Sequence, residues 1–204
     1  PNLKWETTTS FDIALEASFF GGRLFTELNY YQKQTDDLLL DVTIPGQTGF
    51  QSQLQNIGSL ENKGWEFMLN STNVRNDNFN WKTTLTLSAN KNKILDLGGA
   101  DFIDLTVDPI LGSGNTRLIL GQPVPVFTGV NYLGTWKSQA EIDASGLTDP
   151  QVVGGPRYED LNGDGIISME DNVILGDPTP DLIFGFENSF SYKNWDLSFY
   201  FQGT

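Results

Sequence analysis

Trp5-Glu6-Thr7-Thr8-Thr9-Ser10-Phe11-Asp12-Ile13-Ala14-Leu15-Glu16-Ala17-Ser18-Phe19 gives the clearest alternation in the sequence. Odd positions read Trp5, Thr7, Thr9, Phe11, Ile13, Leu15, Ala17 and Phe19; even positions read Glu6, Thr8, Ser10, Asp12, Ala14, Glu16 and Ser18. Successive side chains of a strand point to opposite faces, so one face is apolar and the other bears acids and hydroxyls. Wound as a helix, the same residues would scatter Glu6, Asp12 and Glu16 among the aromatics. The stretch predicts a strand.

The pattern continues on both sides of a turn at Gly21-Gly22, where positive φ is needed. Leu24, Thr26, Leu28 and Tyr30 return on one face, opposite Glu27, Asn29 and Lys33. A polar stretch broken by Pro45-Gly46 and Gly49 runs to about Asn62. A third strand carries Trp65, Phe67 and Leu69 opposite Glu66 and Asn70. After a polar turn near Asn76, a fourth carries Trp81, Thr83, Leu85, Leu87 and Ala89 opposite Lys82, Thr84, Thr86, Ser88 and Asn90. Between Lys91 and Pro180 the alternation dissolves, apart from a short helix expected near Ser138–Ala144. It resumes with Leu182, Phe184, Phe186, Phe190 and Tyr192, turns at Lys193-Asn194, and ends with Trp195, Leu197, Phe199 and Phe201.

This reads as all-β: antiparallel up-and-down hairpins whose connections alternate short and long. Outer-membrane barrels have that asymmetry, with short periplasmic turns and long external loops. Phe19, Phe20, Phe25, Phe79, Trp81, Tyr192 and Trp195 gather at the short-turn ends, where a girdle at the membrane–water interface is expected. The predicted architecture is a slice of a transmembrane β-barrel with long irregular extracellular loops. Residues 1–94 form strands one to four, 95–181 an extracellular insertion, and 182–204 the final hairpin. A soluble β-sandwich also alternates, so periodicity alone leaves that alternative open.

Composition narrows the chemistry. The 204 residues carry a formal net charge of −14 and contain neither His nor Cys. A chain so acidic repels phosphate backbones, which argues against nucleic acid as a partner. Without His or Cys there is no disulfide, no Cys/His zinc site and no Ser-His-Asp or Cys-His catalysis. A glycosidase needs two carboxylates fixed across a bond, and no pair stands out from the acidic background. No enzyme is expected. No apolar run reaches the roughly 18 residues of a membrane helix. The chain opens on Pro1 and stops within an alternating segment, so it reads as a piece of a longer protein.

One loop suggests a ligand. Asp160-Leu161-Asn162-Gly163-Asp164-Gly165-Ile166-Ile167-Ser168-Met169-Glu170-Asp171 fits the D-x-[DN]-x-[DN]-G calcium signature. Calcium takes hard oxygens, here expected from Asp160, Asn162, Asp164, the Ile166 carbonyl, Ser168 and Asp171, with Gly165 at the sharp bend. Asp replaces the usual Glu at position twelve, and no amphipathic helix leads in, so the expected role is a structural calcium ion rather than a switch. Asx turns in a solvated acidic loop are the alternative.

Several phrases, in order, resemble the SusC/RagA-type TonB-dependent outer-membrane transporters of Bacteroidetes. They are Pro1–Thr8 leading to Phe11-Asp12-Ile13, Tyr30–Leu39, Asn56–Glu66, Asn80-Trp81-Lys82 and Ser88–Ile94. Gly121–Pro125, Asp160–Ile166, Ile174-Leu175-Gly176, Tyr192–Ser198 and Phe201–Gly203 complete the set. The resemblance implies part of the C-terminal half of a large barrel in the cell outer membrane, surrounded by lipid. It further implies import of oligosaccharides or peptides, energy from TonB, and a SusD-like lipoprotein lid; plug and TonB-contacting segments lie outside these residues. Tyr132 and Trp136 in the long loop region could stack on sugar rings, but aromatics so placed are more often residues of the loop's own core. The rival function is a soluble, calcium-stabilised secreted β-sandwich module for carbohydrate binding or adhesion.

Overall fold

A computed structural model describes residues 3–43, 49, 52–105 and 116–204. In chain order the strands are β1 (Thr7–Phe19), β2 (Leu24–Asp36), β3 (Leu39–Thr43), β4 (Ser52–Asn56), β5 (Ser59–Arg75), β6 (Phe79–Asp96) and β7 (Phe102–Asp104). There follow β8 (Thr116–Ile119), β9 (Val126–Val130), β10 (Tyr132–Thr135), helix α1 (Gln139–Asp143), β11 (Pro156–Tyr158), β12 (Asn172–Gly176), β13 (Ile183–Tyr192) and β14 (Trp195–Gly203). They fall into two compact units, Pro1–Gly99 with Thr179–Thr204, and Ala100–Pro178.

In the first unit the six alternating segments make one antiparallel sheet in the order β1-β2-β5-β6-β13-β14, with β1 and β14 as edges. Register keeps the alternation in phase across all of them. One row reads Leu15, Leu28, Phe67, Leu87, Phe184, and the next Ala17, Thr26, Leu69, Leu85, Phe186, Phe201. On the opposite face one row reads Glu16, Glu27, Met68, Thr86, Gly185, Gln202. A sandwich would cover the apolar face with a second layer. Here Leu15 stays 68% and Leu197 64% exposed, so the face is open and the sandwich alternative fails. Asn188 lies buried on that face, and its Oδ1 accepts hydrogen bonds from Trp81 Nε1 and Thr83 Oγ1, both at 2.7 Å.

The structure departs from the sequence reading in three places. The polar stretch after β2 holds a further hairpin, β3–β4, whose register continues that of β2–β5: Asp36 faces Ser59, and three steps on Leu39 faces Asn56. A kink separates the two ladders at Asp37 (φ 58°) and Gly58 (φ 96°), bridged by Leu38 N–H to Gly58 O and Ile57 N–H to Leu38 O. The breakers Pro45-Gly46 lie outside the described residues. Residues 91–180, expected to be irregular, hold β7 to β12. Finally, Phe25 does not join the aromatic girdle: it pairs with Ser18 and Asn70 on the polar face.

In the second unit, β12-β9-β8-β7 form a four-stranded sheet and β10-β11 a separate pair. These strands are three to five residues long, too short for period two to stand out. Leu118, Val126 and Trp136 are its buried hydrophobic residues. Helix α1 begins at Ser138, whose hydroxyl accepts from the Glu141 N–H.

Two glycines shape the polar face of the large sheet. A Cβ on Gly64 would meet the Tyr31 ring, with Tyr31 Oη at 2.7 Å; one on Gly185 would meet Tyr200 Oη at 2.6 Å. Each tyrosine therefore folds over a neighbouring strand where a side chain is missing, and the Tyr31 hydroxyl goes on to donate to Asn90 Oδ1 at 3.0 Å. Gly64→Ala in the full-length protein should destabilise the barrel by about 1–3 kcal/mol through overpacking. Tyr31→Phe, which removes only the bond to Asn90, should cost about 1 kcal/mol. Denaturant unfolding followed by tryptophan fluorescence would measure both, and an unaltered Gly64→Ala midpoint would contradict the brace.

Candidate functional site

The acidic loop joins β11 to β12 and is held by its own side chains. Gly163 (φ 75°) and Gly165 (φ 83°) take the left-handed backbone that the sharp bends require. Asp160 accepts from the Gly163 N–H through Oδ1 at 2.7 Å and from the Gly165 N–H through Oδ2 at 2.8 Å. Asn162 Oδ1 accepts from the Asp164 N–H at 2.9 Å, and Asp164 Oδ1 from the Ile166 N–H at 2.7 Å. Asn162 Nδ2 donates to both Asp164 Oδ2 and Glu170 Oε2, drawing two carboxylates toward one point. The Gly165 carbonyl accepts from Thr148 N–H and Oγ1, tying the loop to a neighbouring segment.

Asp171 closes the circuit. It is 1% exposed and starts from a 3-10 turn, Met169–Asp171, capped by Ser168. Its Oδ1 accepts from the Leu161 and Asn162 N–H groups and its Oδ2 from the Ser168 N–H at 2.8 Å. The bond from the Ser168 backbone does most to hold the carboxyl below the usual carboxylate range; burial opposes it, and the Leu161 and Asn162 N–H groups and the Ser168 hydroxyl reinforce it.

The structure thus brings Asp160, Asn162, Asp164, Ile166, Ser168 and Asp171 into one loop, with Asp171 turned onto backbone amides. Among the described residues no three acidic side chains converge as a metal cage. The donor set still fits a hard cation: Asp160, Asn162 and Asp164 present side-chain oxygens at alternate positions around the Gly165 bend. Glu170, which the sequence reading passed over, belongs to the same cluster; the signal was its place one residue before the loop's closing acid.

The aromatic candidates separate. Trp136 is 2% exposed, donates Nε1–H to Gln151 Oε1 at 3.1 Å and lies under the Arg157 guanidinium, so its ring is unavailable for stacking on a sugar. Tyr132 is exposed, edge-on to Tyr158 with centroids 6.0 Å apart.

On the polar face of the large sheet, a cavity of about 680 Å³ is lined by Glu27, Asn29, Glu66, Thr86, Gly185 and Tyr200 among others. Glu16 stands directly opposite Glu27. The alternation of the strands already puts these carboxylates on one face.

Because the folded Asp171 carboxyl titrates below its unfolded value, its contribution is complete above the ordinary range near pH 4 and is lost as pH falls through the lowered value. Protection of the Leu161 and Ser168 amides against hydrogen exchange, corrected for intrinsic rates, should therefore hold at mildly acidic pH and collapse below it. Asp171→Asn should weaken it already at neutral pH.

The family model described as TonB dependent receptor-like, beta-barrel matches residues 1–202. TonB-dependent receptor P26 of Formosa agariphila is 78% identical over 204 residues, all of this chain and 21% of that protein. TonB-dependent receptor SusC of Bacteroides thetaiotaomicron is 35% identical over 202 residues, 97% of this chain and 19% of that one. Among solved structures, the RagAB peptide transporter aligns with a TM-score of 0.76 at 26% identity, covering 99% of this chain and 21% of that chain. The chain spans about a fifth of the length of the curated relatives it matches. Its six-stranded open sheet is a portion of a transporter barrel that these strands alone do not close. Matched over almost its whole length, the chain belongs to the TonB-dependent receptor-like β-barrel family.

Proposed function

We propose that these residues form consecutive wall strands of an outer-membrane importer that takes up oligosaccharides or peptides with energy from TonB. The observation that carries this reading is the single-layer sheet whose apolar face has Leu15, Trp65, Phe186 and Leu197 among its exposed residues while its polar face bears acids and holds a cavity. In lipid, the first face needs no cover and the second lines a wet interior. The short turns at Gly21-Gly22, Asn76 and Lys193 then lie on the periplasmic side, and β3–β4 and residues 100–178 on the external side. There a SusD-like lipoprotein would close over the mouth. SusC among the relatives and the RagAB peptide transporter among the solved structures support that partnership, and the latter supports a peptide as one substrate class. The role is transport, not catalysis.

Within that external part, the loop from Asp160 to Asp171 would bind calcium through Asp160, Asn162, Asp164 and the Ile166 carbonyl, with Ser168 contributing and Asp171 holding the loop closed. The ion would neutralise the carboxylates that Asn162 already draws together, and so stiffen the loop.

The full-length protein should fractionate with the outer membrane, resist extraction at alkaline pH, and be required for growth on a peptide or oligosaccharide that is too large for porins. A protein recovered in the soluble fraction would refute the reading. Chelation should speed amide exchange around residues 155–177 and leave the hairpins at Gly21 and Asn194 unchanged, and Asp164→Ala should do the same locally. Exchange that ignores both calcium and chelator removes the ion from this account.

A further inference from the structure

At the end away from the short turns, the apolar face of the large sheet turns cationic. Along β5 that face passes from Phe67 and Trp65 to Lys63 and Glu61, and along β6 from Leu87 and Ala89 to Lys91 and Lys93. Across the ladder Trp65 faces Ala89, Lys63 faces Lys91 and Glu61 faces Lys93, with no register shift among them, so the lysines are in phase with the apolar rows. The row of Lys63 and Lys91 continues to Gln32 and Phe11, and the row of Lys93 to Gln34 and Thr9. One row further on stand Asp36 and Asp96, so the positive band is two rows deep.

Its charge is only partly balanced. Glu61 Oε1 accepts from Lys63 Nζ at 3.0 Å and its Oε2 from Gln32 Nε2 at 2.7 Å, so both carboxylate oxygens are engaged. Lys91 and Lys93 are exposed, and among the described residues no carboxylate lies within ion-pair distance of either. Like charges directly opposite on paired strands repel, and an anion between Lys63 and Lys91 relieves that repulsion.

The height of the band matches a lipid headgroup. From the aromatic row Phe79, Tyr192 and Trp195 at the short-turn end to the row of Tyr30 and Trp65, β6 runs ten residues, Phe79 to Ala89. At about 3.4 Å per residue and a strand tilt of about 40°, this spans about 26 Å of height, close to the roughly 25 Å apolar band of an outer-membrane barrel with its two aromatic girdles. Lys63 and Lys91 lie one row beyond the second girdle and Lys93 two rows beyond.

We propose that Lys63, Lys91 and Lys93 form a docking site for the phosphate of an anionic lipid in the external leaflet, its acyl chains lying along the rows of Trp65, Phe67 and Leu87. The site rests on the barrel-wall reading and adds to it a preferred lipid at the external rim. The rows directly beneath the lysines are the apolar face itself, which gives a lipid, unlike a free anion, contacts for its chains. Lysine stems lie on apolar surface while their ammonium groups reach the headgroup level.

The test uses the full-length protein in detergent and in nanodiscs, with phosphatidic acid as probe and diacylglycerol of the same chains as the phosphate-free control, read by native mass spectrometry. Phosphatidic acid should be retained in preference to diacylglycerol. Lys91→Gln and Lys93→Gln should each retain it about fivefold less well, and Lys91→Arg, which keeps the charge, should retain it as the unaltered protein does. Lys82→Gln, on the polar face of the same strand, should change nothing. Equal retention of the two lipids by the unaltered protein overturns the site without reference to any variant. A loss in Lys82→Gln equal to that in Lys91→Gln overturns its place on the outward face, and displacement of the lipid by an equal concentration of inorganic phosphate overturns the lipid as occupant. A protein that fails to enter nanodiscs refutes the barrel reading itself, whereas one that enters them and binds both lipids alike refutes only the lipid site.

Discussion

Every other feature of the large sheet depends on phase. A strand offers its side chains to two faces by turns, so six strands share one apolar face only if each ladder is in step with the next. A slip of one residue between β5 and β6 would set Phe67 and Leu69 on the face that carries Lys82, Thr84 and Ser88. The tight turns prevent this. Asn76 Oδ1 accepts from the Asn78 and Phe79 N–H groups, and the Lys193 N–H donates to Asn78 O, pinning two adjacent turns at the same end. The bulge near Asn73 absorbs the one change of step on that side.

The long strands were legible because they obey this rule over nine or more residues, and because each apolar position recurs without an interrupting charge. Shorter strands escaped for the complementary reason. β7 through β12 have too few residues for a period to show. β3 and β4 were hidden among polar residues, since a hairpin that extends beyond the sheet need not have a greasy side. Phe25 shows a different limit: a bulky ring reads as apolar, but position within the alternation decides its face, and its even-numbered neighbours Leu24 and Thr26 already claimed the other one.

In the loop from Asp160 to Asp171 the spacing of the acids is plain in the sequence, and their hydrogen bonds are not. Spacing shows which oxygens are short-armed and alternate; it does not show which of them the backbone will take first. Asp171 stands where amide groups from both arms of the loop point inward, so its carboxylate serves as a clasp. Asp160 and Asp164 also accept amides, Asp160 half-buried and Asp164 exposed. Trp136 makes a similar point: its type fits either a loop core or a sugar-stacking surface, and the packing of Gln151 and Arg157 around it shows the first.

The kinked hairpin constrains how this chain can diverge. Because the two arms keep count with each other through Asp37 and Gly58, deleting one residue from either arm alone would break the pairing on one side of the bend or turn the other side over. Relatives should therefore gain and lose length beyond Thr43 and before Ser52, or change both arms together, while the segments flanking the bend stay fixed in number. Variation in length is thereby kept away from the segments on either side of the bend.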